Sequence, residues 1–176
     1  MFYISKFESP QKPFIKLITL IFTFYIQQLW ITTLTLTHLL ENFELVLSKA
    51  ASEDNNLGLK ICVHYAMLKF ELFRHWEPTE DLEEAIEKGK CAVIETQEED
   101  IAYAERLNNL RVMLSQRYKY IEKTEDLEEA VRVAQQVVNI TPEDHPNLAD
   151  KLYNLGNELE SRYECIGKME DLKKAI

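Results

Sequence analysis

Apolar residues recur at intervals of three and four over the second half of the chain, which predicts amphipathic helices. Residues 81 to about 94 form a short predicted helix, and residues 101 to about 120 form a longer one. The same two patterns return at residues 126–140 and from His145-Pro146 onward, where Pro146 suits a first helical turn. The predicted buried stripes of the two long helices are Leu107, Leu110, Leu114, Tyr118 and Ile121, and then Leu152, Leu155, Leu159, Tyr163 and Ile166.

Residues 81–125 and 126–170 are two copies of one pattern. They are identical at 18 of 45 positions, and both begin with the residues Asp-Leu-Glu-Glu-Ala. Residues 171–176 begin a further copy, and residues 36–80 occupy the place of a degenerate earlier one, in which Lys69 falls opposite Leu114 and Leu159. Self-similarity at a fixed period of this size indicates a stacked repeat protein. We therefore expect an all-α fold of stacked antiparallel helix pairs, with about two and a half to three repeats of 45 residues.

Several local features refine this expectation. Asp81, with Glu84 three residues later, is predicted to form a capping box at the start of a helix. Gly167 is predicted to supply a turn between helices. The sequence stops six residues into its last copy, which is typical of a fragment of a longer array. The apolar strip around Leu155, Leu159 and Ile166 is then expected to be partly open and to favour self-association.

Residues 1–35 form a separate N-terminal extension in this interpretation, and residues 36–176 form the repeat domain. Residues 17–40 contain no Asp, Glu, Lys or Arg, and this length is enough to span a bilayer. Eight Thr and Gln residues dilute that stretch, which leaves three alternatives open: a membrane anchor, a buried helix of the array, or an extension never selected to fold.

The charge is −10 overall, but residues 1–40 carry +2 and the remainder −12. An acidic body disfavours nucleic acid, because phosphates would be repelled. Cys62, Cys91 and Cys165 are an odd number without close spacing, so no disulfide framework or zinc motif is predicted. They favour the reducing cytoplasm, with a membrane-anchored location as the alternative.

The repeat pattern resembles the tetratricopeptide repeat, a pair of helices called A and B. The matching helix A positions are Leu152, Leu155, Gly156 and Leu159, and those of helix B are Ala130, Ala134, Val137 and Pro142. The residues within each repeat are also similar to those of the long-period arrays of fungal multidomain proteins and of kinesin light chain repeats. This resemblance implies a right-handed α-solenoid. The first copy departs from the family pattern at Arg111, where the family has a small residue, and at Gly89 and Gln97, so the resemblance does not establish tight helix packing in that copy.

No catalytic constellation, phosphate-binding loop, metal site or cofactor site is recognisable, so the chain is predicted not to be an enzyme. The resemblance implies a scaffold that binds a protein or peptide ligand on helix A. The candidate groove residues are Asn108, Val112 and Ser115 in one copy, and Tyr153, Asn157 and Glu160 in the next. The alternatives are a membrane-anchored repeat protein and a regulatory segment of a protein with a caspase-like (CHAT) protease domain, which is itself not recognisable in this sequence.

Overall fold

The computed structural model describes residues 55–100 and 102–175. Within these ranges the secondary structure is entirely helical, as the sequence predicts. The helices are α1 (Asn55–Trp76), α2 (Thr79–Ile94), α3 (Tyr103–Ile121), α4 (Thr124–Ile140), α5 (Leu148–Ile166) and α6 (Met169–Ala175). The candidate membrane segment at residues 17–40 lies outside the described ranges. Among the described helices, none combines the length and apolar character needed to cross a membrane.

Consecutive helices pack against each other as antiparallel hairpins. In the first hairpin, Lys69 near the end of α1 binds Asp81 near the start of α2, and Cys62 earlier in α1 lies against the backbone oxygen of Lys88. The main apolar core joins α1, α2, α3 and α4, and a second cluster joins α4 to α5. The helix pairs are therefore stacked side by side, which is how a repeat that cannot bury both faces alone becomes stable.

The turn inside each hairpin repeats at the 45-residue step. Glu77, Glu122 and Gly167 all have positive φ, at 59°, 54° and 71°, and each directly follows a helix A. Each of their backbone N–H groups donates to the carbonyl four residues earlier, at 2.7 Å in all three turns. The predicted turn at Gly167 is confirmed. Only glycine adopts this left-handed conformation without strain from a side chain. The conformation therefore costs more free energy at Glu77 and Glu122 than at Gly167.

The predicted capping box at Asp81 is wrong. The helix begins earlier, at Thr79, and Pro78 holds the cap position without a side-chain cap hydrogen bond. Asp81 therefore lies inside the first turn, and its carboxylate binds Lys69 of α1. In the connection between α4 and α5, Pro146 precedes the helix instead of occupying its first turn, because α5 begins at Leu148.

The predicted open strip on α5 is only partly correct. Leu155 and Leu159 are buried, with 8% and 3% exposure, because they pack against Val131 and Ala134 of α4. Ile166 is 49% exposed, as expected. Leu152 is also 49% exposed, whereas Leu107, its equivalent one repeat earlier, is 1% exposed. The open part of α5 therefore includes a different apolar residue from those that the sequence predicted.

Candidate ligand-binding surface

Successive helix A segments pack in a fixed register. The Phe73 ring of α1 meets the Tyr120 ring of α3 edge to face, with ring centroids 5.2 Å apart. Arg111 of α3 binds Glu158 of α5 at 2.6 Å, and these residues are also 47 positions apart. Because consecutive helices pack as antiparallel hairpins, α1, α3 and α5 run in the same direction. We call the exposed and half-buried side chains of α3 and α5 the helix A surface.

Arg111 is a specific part of this packing rather than a defect in it. Its side chain is 12% exposed and that of Glu158 is 7% exposed. The Ser115 hydroxyl donates to the same Glu158 oxygen at 2.6 Å, so one carboxylate joins two turns of α3. Where the family pattern has a small residue, the long Arg111 side chain reaches α5 and pairs with Glu158 there.

The candidate groove residues of α3 are engaged within the protein. Asn108 accepts hydrogen bonds from the Arg111 guanidinium at 3.3 and 3.4 Å, and Ser115 binds Glu158. Val112 is half-buried against the main apolar core. Asn108 and Ser115 therefore help to hold the ion pair of Arg111 and Glu158 in place, whereas Val112 packs on the core.

The candidate groove residues of α5 are more accessible. Tyr153 is 70% exposed, and Asn157 and Glu160 are also exposed. They are spaced by four and three residues, so they project from one side of the helix. Together they offer an aromatic ring, an amide that both donates and accepts hydrogen bonds, and a carboxylate.

Buried ion pairs fix the angle between the two helices of each hairpin. The Arg117 guanidinium donates two hydrogen bonds to Asp126, each at 2.6 Å. Arg162 makes the same pair of 2.6 Å bonds to Asp171 one repeat later. The hydrogen bonds to Asp126 and Asp171 raise the pKa of Arg117 and of Arg162 above the ordinary arginine value. Bidentate pairs of this kind are geometrically specific, and they position helix A relative to helix B.

In the first hairpin, a lysine instead of an arginine forms the ion pair that joins α1 to α2. Leu72 occupies the position that corresponds to Arg117, and Lys69 binds both Asp81 and Glu84 at 2.9 and 2.8 Å. Burial lowers the pKa of Lys69, but hydrogen bonds to Glu84 and Asp81 outweigh burial and leave it above the ordinary value. Lys69, which does not fit an apolar stripe in the sequence, is thus a buried partner for two acidic residues.

A cleft of about 530 Å³ opens where the residues after α2 meet α3 and α4. Its apolar wall includes Leu110 and Val133. Two of its polar side chains are paired: Gln136 donates to the Tyr103 hydroxyl at 2.8 Å, and Thr96 accepts a hydrogen bond from Arg106 of α3. Sequence reasoning missed this cleft, because it arises from the connection between repeats rather than from a motif. No motif of the sequence points to this cleft, whereas the helix A surface carries the residues that the repeat pattern singles out, so we keep the helix A surface as the candidate site.

No group of three or more His, Cys, Asp or Glu side chains suited to a metal ion occurs in residues 55–100 and 102–175. Residues 104–147, which contain nearly all of α3 and the whole of α4, match the family model described as the tetratricopeptide repeat. No curated protein matches the chain. The α3–α4 pair is thus a tetratricopeptide-like repeat, and the flanking hairpins share its 45-residue register, so the protein contains a TPR-like array of stacked helix pairs.

Proposed function

We propose that this protein is a non-catalytic scaffold that binds a protein or peptide segment on its helix A surface. The observation that carries the proposal is the exposed set of Tyr153, Asn157 and Glu160 on one side of α5. Tetratricopeptide repeats as a family mediate protein–protein interactions and are generally not enzymes. A repeat scaffold holds such side chains on rigid helices, so little conformational entropy is lost when a ligand binds.

The chemistry of these side chains favours an extended peptide with a basic residue. Asn157 can donate to and accept from a peptide backbone, and Tyr153 offers a flat apolar face for a side chain. Glu160 adds a negative charge to a chain whose net charge is already −10. A Lys or Arg in the ligand would be attracted by this field, and its binding would weaken as salt increases.

We further propose a cytoplasmic location. The support is that Cys62, Cys91 and Cys165 are all free thiols in the described structure. Free thiols persist in a reducing compartment, whereas an oxidising one favours disulfides.

A peptide array tests the proposed function. The purified chain is applied to an array of random extended peptides, half with central Lys or Arg and half with Asp or Glu at those positions. The expected result is selection of basic peptides by the wild type and loss of the selected peptides by the variant Tyr153→Ala/Asn157→Ala/Glu160→Lys. The matched control is Gln135→Ala/Asn139→Ala, which alters exposed residues of α4 that bind each other at 2.9 Å. Equal binding by the wild type and the triple variant would contradict the proposal.

A further inference from the structure

Two cysteines lie on the facing helices of the first hairpin. Cys62 of α1 is half-buried, and Cys91 of α2 is exposed. The Cys62 thiol donates to the Lys88 carbonyl oxygen at 3.6 Å, so this sulfur atom of α1 contacts the backbone of α2. Lys88 and Cys91 are three residues apart and therefore lie on the same side of α2.

The side chain of Cys91 points back toward this contact. Helical side chains tilt toward the N-terminus of their helix, and a side chain of this length reaches the carbonyl oxygens three and four residues earlier. The Ser115 hydroxyl shows this reach within α3, since it donates to the Arg111 carbonyl at 2.9 Å. The same reach brings the Cys91 sulfur to the turn of α2 that Cys62 contacts.

The electrostatics of Cys62 agree with this placement. Burial raises the pKa of the Cys62 thiol, and the Lys88 cation partly offsets this effect. The charges of Cys91 and Glu95 raise the pKa of Cys62 further. Cys91 acts on Cys62 because the two side chains lie near each other, since charge interactions decline with distance. Cys62 therefore stays protonated and unreactive at neutral pH, whereas the exposed Cys91 is the thiol that dissolved reagents meet first.

The third cysteine of the described structure has a different neighbour. Cys165 lies at the end of α5, and its hydrogen bond with Tyr118 raises the pKa of that tyrosine to about 12. Cys165 thus serves as an internal control for a thiol outside the first hairpin.

We propose that Cys62 and Cys91 are a redox-active thiol pair, which hydrogen peroxide oxidises to a reversible disulfide that joins α1 to α2. The Cys91 sulfur attacks the O–O bond of the peroxide, takes one oxygen atom to become a sulfenic acid, and releases one water. The Cys62 sulfur then displaces the hydroxyl group of that sulfenic acid, and the Cys62 proton leaves with it as a second water. Two thiols and one peroxide thus give one disulfide and two waters, and a dithiol reductant reverses the reaction.

The disulfide would clamp α1, the first helix of the array, to its partner α2. It closes a loop that contains the left-handed turn at Glu77 and the ion pair of Lys69 with Asp81. A closed loop restricts the unfolded chain, so the oxidised protein is expected to melt roughly 5–10 °C higher than the reduced protein. An unchanged melting temperature would contradict the clamp.

Peptide mapping tests the thiol pair directly. The purified full chain, at low micromolar concentration, is treated with hydrogen peroxide, blocked with iodoacetamide without a reductant and digested with trypsin. Trypsin cleaves after Lys69 and Lys90, so the two cysteines fall in separate peptides, residues 61–69 and 91–106. The expected product is these two peptides joined, with a mass two hydrogen atoms below their sum. Dithiothreitol is expected to separate them.

A comparison of folded and unfolded protein shows whether the fold brings the two thiols together. In urea the three cysteines meet at random, so the linkage of Cys62 to Cys91 is expected to form roughly tenfold more slowly than in native buffer. Cys165→Ser is expected to leave the native rate and yield unchanged, whereas Cys62→Ser and Cys91→Ser each abolish the linked peptide. Circular dichroism at 222 nm checks that each variant is as helical as the wild type.

Three further results would overturn the proposal. The first is a sulfenic or sulfinic acid at Cys91 while Cys62 is still alkylated, which would mean that the two sulfur atoms do not meet. The second is a dimer linked between chains as the oxidised product on a non-reducing gel. The third is an equal rate of linkage between Cys62 and Cys91 in native buffer and in urea.

Discussion

Arg111 of α3 and Glu158 of α5 form a buried ion pair at the place where the preceding pair of parallel helices has Ala66 and Met113. The same stacking geometry is therefore built once from apolar side chains and once from charges. A buried ion pair loses much of its attraction to the cost of removing both charges from water. It contributes more to the choice of neighbour than to stability, since a mismatched neighbour leaves one charge unpaired.

The ion pair of Arg111 with Glu158 predicts that a single variant loses stability and that a double apolar variant regains it. Arg111→Ala leaves the buried Glu158 carboxylate without its cation and is expected to lower the free energy of unfolding by about 3–5 kcal/mol. Arg111→Ala/Glu158→Met restores the combination found at Ala66 and Met113 and is expected to be as stable as the wild type or more stable. Urea denaturation followed by circular dichroism at 222 nm compares the three proteins. A double variant that is less stable than the single one would contradict the interpretation.

The hairpin ion pairs predict a contrast between buried and exposed charges. Asp126 is 3% exposed and binds Arg117 through two bonds, so Asp126→Ala is expected to cost about 3–5 kcal/mol. The exposed pair of Arg74 with Glu71 is the matched control. Arg74→Ala is expected to cost less than about 1 kcal/mol, because exposed pairs are screened by water and salt. Equal losses in the two variants, measured by urea denaturation, would argue against the positioning role of Arg117 and Asp126.

The left-handed turn residues predict a stabilising substitution. Glu122 has φ of 54°, and this conformation costs a non-glycine residue about 1–2 kcal/mol. Glu122→Gly is therefore expected to raise the free energy of unfolding by up to about 1 kcal/mol, after the greater chain entropy of glycine is subtracted. Gly167→Ala is expected to lower it by about 1 kcal/mol.

Lys123, the next residue, serves as the control for this turn. Its φ is −75°, so Lys123→Gly brings no relief of strain and is expected to destabilise slightly. Thermal denaturation of the four proteins gives the order of stability. A lower melting temperature for Glu122→Gly than for the wild type would show that the turn is not strained.

The contact of Glu84 with Lys69 predicts a pH dependence. Burial raises the pKa of Glu84, but hydrogen bonds from Lys69 and Tyr65 outweigh burial and leave it below its ordinary value of 4.5. A lowered pKa in the folded state means that Glu84 contributes stability above pH 4.5 and loses it as the pH falls through the folded pKa.

Lys69→Met removes the main cause of this shift. The wild type is expected to exceed Lys69→Met in stability near pH 7, and the difference is expected to shrink as the pH falls below 4.5. Urea denaturation across pH 3 to 7 measures the difference, with the exposed Lys119→Met as the control. A gap between wild type and Lys69→Met that stays constant with pH would contradict the assigned role.

The sequence predicts the helix pairs, the 45-residue step and the turn at Gly167, because each of these depends on residues close together in the chain. It fails at Asp81, because a helix-start Asp is usually a cap, and the competing partner Lys69 lies on another helix. It also fails at Arg111. Its partner Glu158 corresponds to Met113 in the other copy, so comparison of the two copies gives no sign of an ion pair. The burial of Leu155 and Leu159 depends on their packing against α4, which periodicity alone does not supply.

Parallel helices stack in a register that joins residues 47 positions apart, as Arg111 and Glu158 are joined. A charge-exchange cycle tests it most directly, with the variants Arg111→Glu, Glu158→Arg and Arg111→Glu/Glu158→Arg. Each single variant places two like charges together and is expected to lose stability in urea denaturation. The exchanged double variant is expected to recover at least about 1 kcal/mol relative to the sum of the single losses, the size of a contact coupling. Strictly additive losses would mean that the two side chains do not meet and that the register is wrong.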